Sequence, residues 1–157
     1  MDVIIPDDLF PYFEICGTRK NYAPGEMIRP EAQNNERLYL VESGRVRVYC
    51  SNASGRELTL RIMGKGRLIG EDVFVEFTGA KTAVSAVNEV TVVSCSVEEL
   101  FPYIVESEAL LRAILRHLTG TNISLTRHLK RIAIYDSRQK WPATSMKRRE
   151  RTARREI

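Results

Sequence analysis

Between Arg37 and Met63 apolar side chains recur at every second position in short runs closed by glycine-bearing turns, and this alternation restricts the fold more than any other feature of the chain. Leu38 and Leu40 share one face of the first run, Arg37 to Val41, and Glu42-Ser43-Gly44 turns it. Val46, Val48 and Cys50 alternate with Arg45, Arg47 and Tyr49 in the second, which Asn52-Ala53-Ser54-Gly55 closes. Leu58, Leu60 and Ile62 alternate with Glu57, Thr59 and Arg61 in the third, and Gly64 and Gly66 bracket the next turn. A period of two in such short runs specifies half-buried antiparallel strands. A meander of this kind is best protected by rolling up into a barrel or jelly roll. Thr82 to Ser96 adds two strands, with Val84 and Ala86 in one, Val90, Val92 and Val93 in the other, and Asn88-Glu89 at the turn. The expected core of the molecule is a small β-barrel over Gly25 to Ala86.

From Val97 the period changes. Ser96 is placed as the N-cap of a short helix, with Glu99 as its capping-box partner. A long helix is expected from about Ser107 to Tyr135. Leu111, Leu118, Leu125 and Ile132 recur every seven residues, and Leu115, Asn122 and Leu129 interleave with them. That is a heptad seam, and Asn122 is the kind of seam residue that fixes register. Ile114, Thr121 and Tyr135 form a second, partly apolar stripe beside it. Two stripes suit a helix with its own barrel on one side and a partner helix on the other, so a homodimer is expected. The fold class is therefore mainly β with a long α-helix. The chain divides into a lead-in over 1–18, a barrel over 19–106, a dimerisation helix over 107–136, and a hinge and basic tail over 137–157.

At this point the order of elements and motifs resembles the Crp/Fnr family of bacterial transcription regulators. The matching residues are Pro24-Gly25-Glu26, Leu38 to Val48 (LYLVESGRVRV), Gly55-Arg56-Glu57, Gly66, Gly70-Glu71 and Lys81-Thr82-Ala83. Ile132-Ala133-Ile134-Tyr135-Asp136 looks like the hinge after the long helix. The resemblance covers about residues 20–140. It implies a double-stranded β-helix, or jelly-roll, barrel of the cyclic nucleotide-binding type, a dimerisation helix and then a DNA-reading helix-turn-helix.

The same resemblance implies that Gly70 to Ala83 (GEDVFVEFTGAKTA) is the effector-binding cassette. Nucleotide-binding members offer backbone N–H groups there to a cyclic phosphate. Glu71 matches their ribose-binding Glu, and Thr82 their hydroxyl donor. Lys81 holds the position of their Arg; it keeps the charge and lacks the two-pronged fork. Asp72 and Glu76 add carboxylates that work against an anion. The implied effector residues are Gly70, Glu71, Lys81, Thr82, Ala83 and Thr126, the last where the long helix would close over the pocket beside Leu125. A cyclic nucleotide, another anion and an aromatic or halogenated acid all stay open as effectors. So does an internal Glu71–Lys81 ion pair that holds the loop shut. The opening Ile4-Ile5-Pro6-Asp7-Asp8-Leu9-Phe10-Pro11 looks like the branch that senses halogenated phenols, whose phenolate Lys81 could hold.

Other chemistries lack their residues. Cys16, Cys50 and Cys95 form no CxxC pair, which argues against a disulfide framework, a zinc knuckle or an iron–sulfur cluster. Cys50 and Cys95 read as small core residues. The two histidines, His117 and His128, fall in the long helix and read as interfacial polar residues rather than haem ligands. A barrel without histidine is no metal-dependent cupin, and no nucleophile constellation, GxGxxG or Walker loop is present. The expectation is a binding module and no enzyme, without a certain cofactor or metal. The formal charge of +4 comes from residues 137–157, which alone carry +6. Residues from Trp141 show no helix-turn-helix pattern, so the chain reads as truncated before its DNA reader. No apolar run or basic leader suggests a membrane or secretion, and a cytoplasmic location is expected. Two functions remain: the effector-sensing part of a Crp/Fnr-type regulator, with DNA as a partner of the full-length family, or a free-standing small-molecule-binding and dimerisation module.

Overall fold

The computed structural model describes residues 3–31, 37–74 and 82–140. A 3-10 turn at Asp7–Leu9 leads into helix α1 (Phe10–Cys16). Strands β1 (Gly17–Tyr22), β2 (Met27–Arg29), β3 (Arg37–Ser43), β4 (Val46–Ser51), β5 (Glu57–Met63), β6 (Leu68–Ile69), β7 (Ala83–Ala86) and β8 (Val90–Ser96) follow. Helices α2 (Val97–Glu106) and α3 (Glu108–Lys140) end the described chain. Among the described residues the strands form two four-stranded antiparallel sheets, in the orders β1-β8-β3-β6 and β2-β7-β4-β5. This is the expected jelly-roll arrangement of mainly antiparallel strands with a long helix.

Strands β3 and β8 explain why the sheets hold two cores. Their side chains alternate across the sheet. Val41, Val90 and Val92 pack into an inner cluster with Val46, Met63, Ile69 and Val84. Leu38, Leu40, Val93 and Cys95 face the other way, onto Phe10, Phe13, Leu100, Leu110 and Ile114 of the helices. Burying a side chain of this size contributes about 1.5–3 kcal/mol. The β3–β4 turn needs its glycine: Gly44 has φ 80°, and a Cβ there would lie 2.2 Å from the Glu89 carbonyl oxygen. The chain divides after Thr119 into two compact units, so the barrel, α1, α2 and the start of α3 form one and the rest of α3 belongs to the other.

The structure corrects several expectations. The short strands β1 and β2 went unread. β1 buries only Tyr22 fully among Gly-Thr-Arg-Lys-Asn-Tyr, so it carries no apolar alternation. Leu58, Leu60 and Ile62, read as the inward face of β5, are 62%, 48% and 59% exposed. β5 is an edge strand, and the ladder to β4 slips between Val48 and Tyr49, so only Met63 reaches the core. Cys50 is half-buried rather than core, while Cys95 is fully buried. Ser96 sits at the N-cap of α2 without a side-chain capping bond, so the capping box is absent. The cap lies instead at α3, where the Leu110 N–H donates to Ser107 Oγ at 3.2 Å. α3 also runs past its expected end at Tyr135, to Lys140. The basic tail from Trp141 lies outside the described residues.

Candidate effector site

β6 delivers the chain to Gly70, whose φ of 89° suits glycine alone. Glu71–Phe74 then forms a single 3-10 turn, with the Val73 N–H donating to the Gly70 carbonyl at 3.0 Å. The far end of the cassette returns at Thr82 and enters β7, where Ala83 is buried opposite Tyr49. Lys81 and Glu76, with the rest of residues 75–81, and the Asp72 side chain lie outside what the structure describes. The expected Glu71–Lys81 pair therefore does too.

Each described end of the cassette meets a side chain that sequence reading did not assign to it. At the far end that partner is Arg29 of β2, which pairs with β7. Arg29 is only 7% exposed, and its Nη2 donates to both the Thr82 carbonyl at 3.2 Å and Thr82 Oγ1 at 3.0 Å. A hydroxyl that accepts from a guanidinium directs its own proton to another acceptor. Thr82 is thus polarised as a donor, beside a buried positive charge. An arginine in the brief run Met27-Ile28-Arg29 gives little sequence signal, because nothing in the run marks it as buried.

At the near end the partner is His117 of α3. Read from sequence as an interfacial residue, it is instead fully buried within the barrel unit, beside β6. Its Nε2 accepts the Leu68 N–H at 2.9 Å. Burial above all, then the positive charges of Arg67 and Arg61, push its pKa down to about 4, so the ring is neutral at pH 7. A neutral imidazole that accepts at Nε2 carries its proton on Nδ1. That nitrogen lies 3.5 Å from Glu71 Oε1. Its helical spacing from Leu110, Ala113 and Ile114 could have placed it on the buried stripe.

The remaining expected residues lie along α3. Leu111 and Leu115 are 40% and 52% exposed, and Leu118 is half-buried against the protein's own outer core. Asn122 and Thr126 are exposed, as are Leu125, Leu129 and Ile132, all in the second unit. No helix among the described residues is long and apolar enough to cross a membrane.

Residues 19–106 match the cyclic nucleotide-binding domain family. The chain is similar to the CRP-like cAMP-activated global transcriptional regulator of Mycobacterium tuberculosis, 30% identical over 109 residues that make up 67% of this chain and 49% of that protein. It is 40% identical to the Cyclic AMP receptor protein of Thermus thermophilus over 53 residues, 34% of this chain and 24% of that one. The chain thus spans about half the length of the mycobacterial relative and less of the other. Among solved structures it resembles the catabolite activator protein of Thermus thermophilus, with a TM-score of 0.68 at 22% identity over 85% of this chain and 62% of that one. Oxidized CprK in complex with o-chlorophenolacetic acid superposes with a TM-score of 0.73 at 16% identity over 85% of this chain and 55% of that one. Barrel, sheet order and family match agree: the chain belongs to the cyclic nucleotide-binding domain family, as an effector domain of the Crp/Fnr type.

Proposed function

We propose that this chain is the effector-sensing part of a Crp/Fnr-type DNA-binding transcription regulator, and that it binds a small molecule bearing an anionic group at the cassette Gly70 to Ala83. The mycobacterial relative is named a global transcriptional regulator. The observation that carries the reading is the buried Arg29 clamped on Thr82, which sets a cation and an oriented hydroxyl donor at the end of the cassette. In this reading Glu71 accepts from a hydroxyl of the effector, Gly70 and Ala83 bring backbone close to it, and Lys81 adds charge. Cyclic AMP, which the mycobacterial relative's name mentions, and o-chlorophenolacetic acid, bound by CprK, are both anions. The signal then leaves through α3 in a homodimer whose seam includes Leu111, Leu115, Leu118, Asn122, Leu125, Leu129 and Ile132. Exposure of Leu115 and Leu129 at 52% and 65% supports that seam.

A thermal-shift panel of cyclic nucleotides, halogenated phenols and aromatic acids tests the proposal. An anionic member present at 100 times its dissociation constant stabilises the fold by about 2.7 kcal/mol. The Arg29→Met and Thr82→Val chains lose that shift. A panel in which only uncharged compounds act, or in which these variants respond like the parent, overturns the assignment.

A further inference from the structure

At the other end of the cassette a side chain of α3 faces the loop. His117 occupies a position that a leucine would fill more cheaply, on the stripe Leu110, Ala113 and Ile114 and fully buried. One ring nitrogen is committed: Nε2 holds the Leu68 N–H on β6, two residues before the cassette begins at Gly70. The other faces the cassette's own acid, with Nδ1 at 3.5 Å from Glu71 Oε1. Formed N–H···O bonds measure roughly 2.7–3.2 Å, so this contact lies just outside bonding range. The remaining charged groups acting on the ring are Arg67, which precedes β6, and Arg61 on β5. The imidazole is therefore carried by α3, bonded to β6 through Nε2, and turned toward the 3-10 turn of the cassette with Nδ1.

We infer that His117 is a positioning residue that latches α3 to the effector site: its Nδ1–H closes on Glu71 in one state of the cassette and releases it in the other. The seating of α3 up to Thr119 then depends on what Glu71 is bonded to. The inference rests on the effector reading above for the identity of the trigger. The physical requirement is a bistable contact whose two arrangements differ in free energy, and a short shift of a carboxylate across the hydrogen-bonding threshold supplies one. Burial makes the contact matter, because His117 is fully buried and the facing Glu71 Oε1 is itself shielded from solvent, so the pair is poorly screened. An effector hydroxyl that donates to Glu71 reduces the carboxylate's attraction for the imidazole, and α3 responds through the same side chain.

A double-mutant cycle read by amide hydrogen exchange on the full chain tests the latch without any ligand. Glu71→Gln keeps the shape and removes the charge. It is expected to change exchange at residues 113–119 by about tenfold, within the usual range of coupling between sites. In a His117→Gln background, which keeps an acceptor for the Leu68 N–H, the same change is expected to move those rates by about twofold or less. Equal effects in both backgrounds overturn the proposal. A second measurement needs no His117 variant. Nitrogen NMR of the chain carrying His128→Gln isolates the His117 ring, whose Nδ1 resonance must show the protonated tautomer and must move on Glu71→Gln. An Nε2-protonated ring, or an unmoved resonance, overturns the latch. Cyclic AMP forms a separate arm. Binding of cyclic AMP with an additive cycle removes the latch and leaves the effector reading. A non-additive cycle beside a panel without anionic binders keeps the latch and removes that reading.

Discussion

Helix α3 has two stretches of similar composition and opposite surroundings. Over its first turns Leu110, Ala113, Ile114 and His117 are 0%, 6%, 4% and 0% exposed. Farther along, Leu125, Leu129 and Ile132 are 44%, 65% and 47% exposed. The buried stripe repeats at i, i+3, i+4 and i+7, the spacing of one helix face, while the exposed residues follow the seam that begins at Leu111 and Leu115. One helix thus carries two apolar patterns. The first anchors it to the barrel, and the second is proposed to anchor it to another copy. A leucine in this helix is not by itself evidence of either role; its phase and its position decide.

Truncation tests that contrast most strongly. Leu110→Ala is expected to destabilise the barrel unit by about 2–5 kcal/mol in urea denaturation, the cost of a cavity in a packed core. Leu129→Ala should change the same quantity by only about 0.5 kcal/mol or less when measured at concentrations where the chain is monomeric. Equal losses at the two positions would break the distinction.

Acid comes next. Unfolded, His117 takes up a proton near its ordinary pKa of 6.5; folded, it holds off until about 4. The unfolded state therefore binds more protons between those values, and stability falls as the pH drops from 6.5 toward 4. The His117 share is about 3 kcal/mol by linkage, and it is fully present above pH 6.5. Subtracting the pH profile of His117→Gln from that of the parent isolates this share. Superimposable profiles would place the histidine outside the core.

A smaller effect is expected at the seam. Leu115→Glu with Leu129→Glu should raise the dimer dissociation constant about tenfold or more, which is about 1.4 kcal/mol, by sedimentation equilibrium. An unchanged constant would put the dimer contact elsewhere. Least affected should be β5, where Leu60→Ser is expected to shift stability by about 0.5 kcal/mol or less, because its side chain is 48% exposed. A loss of several kcal/mol there would restore the inward face that the alternation suggested.

Strands β3, β4, β7 and β8 were legible because their alternation reports real burial on at least one face, and the switch of period at Val97 marked the helices. β1 was not, since its alternate positions face solvent and its partner β8 lies about seventy residues away in sequence. β5 misled in the opposite sense: a correct period of two locates a strand without saying that its apolar face is covered. At the site, Gly70, Glu71 and Thr82 were marked by the order of the motif. Their partners were not. Arg29 reaches Thr82 across a gap of 53 residues, and His117 reaches Leu68 across 49. Pairings of that kind leave no local periodicity for a reader of the chain to find.

Local patterns alone determined that this protein is a β-barrel followed by a long helix, because turns, alternation and heptads are short-range consequences of backbone geometry; that one loop of it is a cassette came only as what the family resemblance implies. Only the tertiary structure decided that Arg29 clamps Thr82 and that a neutral His117 stands between Glu71 and the helix. Those facts depend on which segments the sheet ladders and the helix bring together and on how far the surroundings exclude water, and both are set by the folded whole.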